Sequence, residues 1–293
     1  MKYALFLGCT IPARSRQYEL SARKVAQELG IEFVDLENFI CCGFPVKSSD
    51  IKSAMVLGAY NIALAEKQGL DLCALCSSCT SALTEVAHHL AHDEKAKEEV
   101  NQSLSRAGLK YEKGAKVRHF ARVLYEEVGL DELKRHFKRS LEGLRVATHY
   151  GCHYLKPSEI YENFDQVENP HSLDDMIALT GATIVDYVNK KRCCGGPLLA
   201  VDEKVSLAVA KEKLDDIKEA AADIINLVCP FCSVMYDSNQ KGIEAAFNAS
   251  YNLPVLYLTQ ILGLAMGLDR KELGLNMNVV KTKEVLANYS GGE

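Results

Sequence analysis

Apolar positions along the chain fall into short runs separated by longer amphipathic stretches. Residues 4–7 form a compact apolar run of strand length. Helical spacing follows over about residues 15–29, and Gly30 stands where a C-terminal helix cap is expected. Residues 31–36 alternate as a second strand, and Asp50 can cap a helix running to Gln68, with Gly69 after it. A strand at 70–75 and a polar helix over about 80–107 complete this half. The pattern then starts again, with strands at 146–149 and 184–187, a long helix over 197–219 and a strand at 224–228. This alternation predicts an α/β fold of mostly parallel sheets covered by helices. In such sheets ligands bind in the crevice beyond the strand C-termini. Residues 130–143 read as a helical linker with a solvated basic face. The tail from Asp269 is polar and without clear period, so that it reads either as a docking arm or as a loose end.

The second half repeats the first in more than its periodicity. Cys9, Cys41-Cys42-Gly43 and Cys76-x-x-Cys79 recur as Cys152, Cys193-Cys194-Gly195 and Cys229-x-x-Cys232. The offset is 143 at the first cysteine, 152 at the pairs and 153 at both Cys-x-x-Cys motifs. Leu7-Gly8-Cys9 matches Tyr150-Gly151-Cys152, and residues 117–124 resemble residues 255–262. The chain therefore reads as two related Rossmann-like units, 1–143 and 144–293, produced by internal duplication. Cys73, whose counterpart is Asn226, falls outside the pattern and reads as a buried strand cysteine.

Composition narrows the chemistry. A 293-residue chain with 48% hydrophobic and 25% charged residues is an ordinary globular protein, and a net charge of −5 excludes a nucleic-acid footprint. The N-terminus lacks a signal-peptide pattern. The most apolar later stretch, 255–268, is too short to span a bilayer and carries Thr259 and Gln260. The expected location is the cytoplasm, where eleven cysteines point to metal ligation or redox chemistry rather than structural disulfides.

Three chemistries compete for these thiols. One tetrahedral zinc could take Cys76, Cys79, Cys229 and Cys232, but it would need strand ends of both units to meet and leaves six cysteines without a purpose. A metal-free dithiol would use one Cys-x-x-Cys, such as Cys229-Pro230-Phe231-Cys232, and ignore the rest. Five cysteines per unit, two of them adjacent, suit a polynuclear iron–sulfur centre, with one thiolate able to bridge two irons. Gly43 and Gly195 would let the backbone bend beside such a centre. Helices starting after Cys79 and Cys232 would turn their positive ends toward it.

This duplicated pattern resembles the cysteine-rich "CCG" domain of the heterodisulfide reductase B-type subunit, with relatives in thiol:fumarate reductase and in lactate and glycolate oxidases. The resemblance covers nearly the whole chain, and apart from Cys73-x-x-Cys76-x-x-Cys79, which overlaps the first motif, the sequence shows no extra Cys-x-x-Cys-x-x-Cys run of the kind a fused ferredoxin domain would add. It implies a noncubane [4Fe–4S] cluster in each unit. Cys9, Cys41, Cys42, Cys76 and Cys79 would hold the first, and Cys152, Cys193, Cys194, Cys229 and Cys232 the second. The implied reaction is reduction of the coenzyme M–coenzyme B mixed disulfide to two thiols, with the clusters as the catalysts and no obligatory side chain. The implied partners are the ferredoxin-like C-type and the flavin-containing A-type subunits of heterodisulfide reductase, and a hydrogenase in a larger assembly. The substrate is anionic, so Lys47, His153, Lys156, Lys190, Lys191 and Arg192, close to the cysteines in sequence, are candidate contacts. Two other readings stay open: an electron-transfer component of a 2-hydroxy-acid (lactate or glycolate) oxidoreductase, and a zinc-stabilised scaffold without activity.

Other motifs count for less. His88 and His92, four apart on a helix, lack a third ligand and read as a solvated face. His119, at the repeat position of Tyr257, reads as a hydrogen-bonded packing residue. Gly195-Gly196-Pro197 has neither the lysine nor the spacing of a phosphate loop.

Overall fold

The N-terminal apolar run becomes a strand whose residues Tyr3 to Phe6 are buried, and the same event opens the second half with Val146 to His149. The computed structural model describes residues 1–289. Its first half contains β1 (Lys2–Phe6), α1 (Thr10–Arg14), α2 (Arg16–Glu28), β2 (Glu32–Val34) and α3 (Ile51–Lys67). It continues with β3 (Asp71–Ala74), α4 (Ser77–His92), α5 (Glu94–Leu104), β4 (Val117–His119) and α6 (Phe120–Arg122). A short helix, α7 (Leu130–Arg135), leads to the second half: β5 (Arg145–His149), α8 (Ser172–Ala178), β6 (Thr183–Ile184) and α9 (Glu203–Glu219). Then come β7 (Ile224–Leu227), α10 (Pro230–Ser233), α11 (Gln240–Phe247), β8 (Val255–Tyr257) and α12 (Leu258–Ala265).

The described strands form two four-stranded parallel sheets, ordered β2-β1-β3-β4 and β6-β5-β7-β8. In each sheet the chain first builds outward on one side and then returns to the other. The reversal falls between β1 and β3, and between β5 and β7. That is the switch point at which open α/β sheets leave a crevice. Cys9 and Cys76 follow β1 and β3, and Cys152 and Cys229 follow β5 and β7, so the fold delivers thiols to the crevice of each sheet.

Several elements differ from their sequence-based bounds, each for a local reason. The strand expected at 31–36 shrinks to β2, an edge strand paired only with β1, and the one at 184–187 shrinks to a two-residue β6. The helix expected over 80–107 breaks at Asp93, whose extended backbone lets its carboxylate cap α5 by accepting from Ala96 N at 2.9 Å. The helix expected from Pro197 starts only at Glu203. Pro197 lies in a single 3₁₀ turn, and Asp202 caps α9 through Val205 N at 3.0 Å, as Asp50 caps α3 through Ser53 N. The linker is helical only to Arg135, after which the Lys138 and Arg139 N–H groups bond to Ala265 O on α12. The tail is neither arm nor loose end: Leu273, Leu275 and Leu286 are buried, and Asp237 accepts from Val279 N and Val280 N at 2.9 and 2.8 Å. Residues 290–293 of that tail lie outside the described residues.

The two halves share one hydrophobic core. Helix α2 of the first half packs on α12 of the second, and reciprocally α8 packs on residues 123–128, which follow β4 and α6. Tyr18 on α2 stacks on Tyr257 with ring centroids 4.0 Å apart, its hydroxyl donating to Val228 O at 3.3 Å. Ser21 and Thr259 hydroxyls meet across the same seam at 2.6 Å. His119, as expected of a packing residue, donates from Nε2 to Val228 O at 3.1 Å while its Nδ1 accepts from Ala121 N. Among the described residues no helix is long and apolar enough to cross a membrane.

Candidate functional site

The seam sets the two crevices against each other, and the ten patterned thiols run through it as one string. In the first unit Cys41 adjoins Cys42, Cys42 hydrogen-bonds Cys79, and Cys79 hydrogen-bonds Cys76. Cys76 then meets Cys229 of the second unit. From Cys229 the string continues through Cys232, Cys194 and Cys193 to Cys152. Cys9 stands exposed at the first end, near Cys41. The outer thiols Cys41, Cys152 and Cys193 are half-buried, while Cys42, Cys76, Cys79, Cys194, Cys229 and Cys232 are buried. Cys73, in β3, is fully buried, and burial raises its thiol well above the ordinary value, as suits a packing cysteine.

Crowding decides how these groups ionise. The hydrogen bond from Cys79 draws Cys42 down to about 7, and hydrogen bonds from Cys232 and Cys76 hold Cys229 far below the usual thiol range. Their partners Cys76, Cys79 and Cys232 are pushed well above it. Cys193 is likewise lowered by Cys152 and Cys194, both of which rise. A few thiols ionise at the expense of their neighbours, so full deprotonation needs several positive charges among them. The backbone leaves space for such a group. A Cβ on Gly8 would lie 2.9 Å from Cys79 Sγ, and one on Gly196 3.2 Å from Cys194 Sγ. The N–H groups of Gly195 and Gly196 point at Cys193 Sγ and Cys194 Sγ, each at 3.4 Å. The helices begin earlier than the sequence suggested. Cys76 and Cys229 are the N-cap residues of α4 and α10, and Cys79 and Cys232 lie within the first turns. Both thiols of each Cys-x-x-Cys therefore sit at a helix N-terminus, where negative charge is favoured.

The four thiols of the zinc reading do come together, since Cys79, Cys76, Cys229 and Cys232 are consecutive in the string. Among the described residues no three His, Cys, Asp or Glu side chains are grouped so as to hold a metal ion.

The candidate cations separate into groups. Lys190 is held in a half-buried ion pair with Asp174 at 2.5 Å and lies 5.6 Å over the Tyr150 ring. Lys191 pairs with Glu168 and Arg192 with Glu212 at the surface. Lys156 and Lys191 line, with Cys152, a cavity of about 120 Å³. Lys47 pairs with Glu85 and lines, with Cys42, Ile51, Met55 and Val86, a largely apolar groove of about 500 Å³. His153 bridges the units: its ring packs edge-on to Phe44 at 4.8 Å and its Nδ1 lies 3.2 Å from Ser81 Oγ on α4. Burial lowers its pKa.

The CCG cysteine-rich domain matches this chain twice, over residues 3–84 and 146–237. The chain belongs to the duplicated CCG family that includes the B-type subunits of heterodisulfide reductases. It is 36% identical over 290 residues to the B-type subunit of the ferredoxin/F(420)H(2)-dependent CoB-CoM heterodisulfide reductase of Methanosarcina acetivorans, covering 98% of this chain and 96% of that one. It is 31% identical over 280 residues to the 8-methylmenaquinol:fumarate reductase membrane anchor subunit of Wolinella succinogenes, covering 95% and 97%. A hypothetical protein from Helicobacter pylori shares the fold at a TM-score of 0.80 with 19% identity. That match covers 96% of this chain, which spans about half the length of the other protein (52%).

Behind this family motif stand residues that sequence reasoning passed over. His149 and Lys213, both buried, form a chain to Cys232, with His149 Nε2 3.3 Å from its sulfur and Lys213 Nζ 3.0 Å from His149 Nδ1. One signal was available: a histidine stands where the first unit has Phe6, and a lysine where it has Asn61, at a position the helix buries.

Proposed function

We propose that this protein is the catalytic subunit of a cytoplasmic heterodisulfide reductase, reducing the coenzyme M–coenzyme B mixed disulfide to two thiols. Cys9, Cys41, Cys42, Cys76 and Cys79 would hold one noncubane [4Fe–4S] cluster. Cys152, Cys193, Cys194, Cys229 and Cys232 would hold the other. The observation that carries the reading is the meeting of Cys76 with Cys229, because it brings two five-thiol sets within reach of a single small molecule. Reduction of one S–S bond takes two electrons and two protons and yields two thiols, and the clusters supply the electrons when bound. The protein's own residues hold the substrate. The apolar groove at Cys42 can seat an uncharged arm with Lys47 at its wall, and Lys156 and Lys191 beside Cys152 can face an anionic end. His153, between the units, can donate a hydrogen bond to a departing sulfur. Electrons would arrive from a ferredoxin-like C-type subunit, itself fed by a flavin-containing A-type subunit, within an assembly that can include a hydrogenase.

The test begins with iron, acid-labile sulfide and zinc in anaerobically purified protein. About eight irons with matching sulfide, together with mixed-disulfide reduction by a reduced dye, is the expected result. Cys194→Ala should abolish turnover, and full activity with an undiminished iron count would refute the assignment. One zinc without iron would favour the scaffold. The relative from the fumarate reductase keeps a pure electron-transfer role in view. Dye-linked support of 2-hydroxy-acid oxidation without disulfide reduction would assign the chain there.

A further inference from the structure

The two thiol sites follow one plan, but the side chains behind them differ in kind. His149 ends β5, three residues before Cys152, and directs Nε2 at Cys232 Sγ. Its other nitrogen faces the Lys213 ammonium at 3.0 Å. An ammonium can only donate, so Nδ1 accepts and the ring proton stands on Nε2, against the sulfur. The remaining Lys213 donors go to Lys190 O and Arg192 O at 3.0 and 2.8 Å, fixing the backbone ahead of Cys193. Tyr236 packs edge-on to His149 at 5.0 Å, and its buried hydroxyl has no hydrogen-bond partner among the described residues. Burial, and after it the nearby Cys194 and Cys232, hold that phenol in its neutral form. At the repeat-equivalent positions of the first unit stand Phe6, Asn61 and Leu83, all buried. Asn61 keeps only the loop-fixing half of the lysine's task, donating to Cys41 O at 3.1 Å and accepting from Ile40 N at 2.8 Å. It carries no charge.

We propose that the Lys213–His149–Cys232 chain makes the two sites unequal, holding the second at the higher reduction potential so that an electron entering the protein settles there first. Reduction adds negative charge to an iron–sulfur centre, and an N–H···S hydrogen bond backed by a buried cation stabilises that charge. His149 and Lys213 are positioning and tuning residues and touch no substrate. The inference rests on the iron–sulfur reading above.

The experiment is a redox titration of the anaerobically purified full chain, followed by electron paramagnetic resonance. Two signals with separated midpoints are expected. His149→Phe, which installs the first unit's residue, should lower the more positive signal by about tenfold in its reduction equilibrium, about 59 mV for one electron, and leave the other in place. Lys213→Met should move the same signal the same way. The reciprocal Phe6→His/Asn61→Lys variant should raise the more negative signal, and it decides the matter if His149→Phe does not retain iron. Equal midpoints in the native protein, an unmoved positive signal in His149→Phe, or equal shifts of both signals would overturn the proposal. A native chain without iron would instead remove the cluster reading itself, whereas two iron sites of equal potential would remove only the inequality.

Discussion

Gly43 and Gly195 show why each cysteine pair is followed by glycine. Both have left-handed backbones, with φ of +87° and +80°. A Cβ on Gly43 would lie 2.5 Å from Ala54 O, and one on Gly195 would lie 2.7 Å from Ser206 O. The pairs are thus pressed onto the backbone of α3 and α9, and a methyl group would drive them off. Gly69 is the natural control, since φ is +65° but nothing lies within 4 Å of its Cβ position. Gly69→Ala should cost only the left-handed strain, about 1–2 kcal/mol, and leave iron binding intact. Gly195→Ala should cost more and halve the iron content, as measured by thermal melts and iron assay on both variants. Equal behaviour of the two would refute the close-packing argument. The motif glycines and cysteines could be read from the sequence because their spacing recurs. The fate of Lys190 could not, because its partner Asp174 lies sixteen residues away on another element and nothing in the basic run Lys190-Lys191-Arg192 marks which cation pairs inside rather than at the surface.

At the level of elements, the loops carrying the cysteine pairs end at capped helices. Asp50 and Asp202 occupy the same repeat position, and each accepts from the N–H three residues on at 3.0 Å. The first cap was readable from a polar residue ahead of an apolar-periodic stretch. The second was obscured by Pro197, a good residue for a first helical turn, which here opens a 3₁₀ turn instead. Transferring the first unit's cap onto the second by the offset of 152 would have placed it correctly. Asp202→Ala should cost about 1 kcal/mol and lower the melting temperature by a few degrees without loss of iron, since the cap acts on α9 and not on a thiol. A melt unchanged within error would show that tertiary packing alone holds the start of α9. The edge strands β2 and β6 were overextended for a related reason. Alternation continues past the last paired residue, but with a single neighbour the ladder has nothing to hold it.

For the molecule as a whole, the decisive feature is the one least visible in the sequence, namely that the two units meet with their crevices together. An amphipathic helix does not announce whether its apolar face covers its own sheet or a neighbour, and α2 does both. The clue lies in α12, where every residue from Leu258 to Ala265 is buried, including Thr259 and Gln260; a helix buried all round must be enclosed on both sides. Tyr18 and Tyr257 stack at the centre of this enclosure, and the Tyr18 hydroxyl binds Val228 O, the carbonyl just before Cys229. The seam and the thiol junction are therefore mechanically one structure, and neither half can unfold without exposing the core of the other. The native chain should melt in a single cooperative transition in scanning calorimetry, despite being a duplication. Tyr18→Ala should lower that transition as a whole, by about 3–5 kcal/mol in stability, the usual cost of emptying a buried aromatic site. Its disulfide-reducing activity should fall further than its iron content, because each unit keeps its own thiols while the meeting of Cys76 with Cys229 loosens. Two separate transitions, with only one moved by the substitution, would mean that the halves are independent and that the junction forms without the seam.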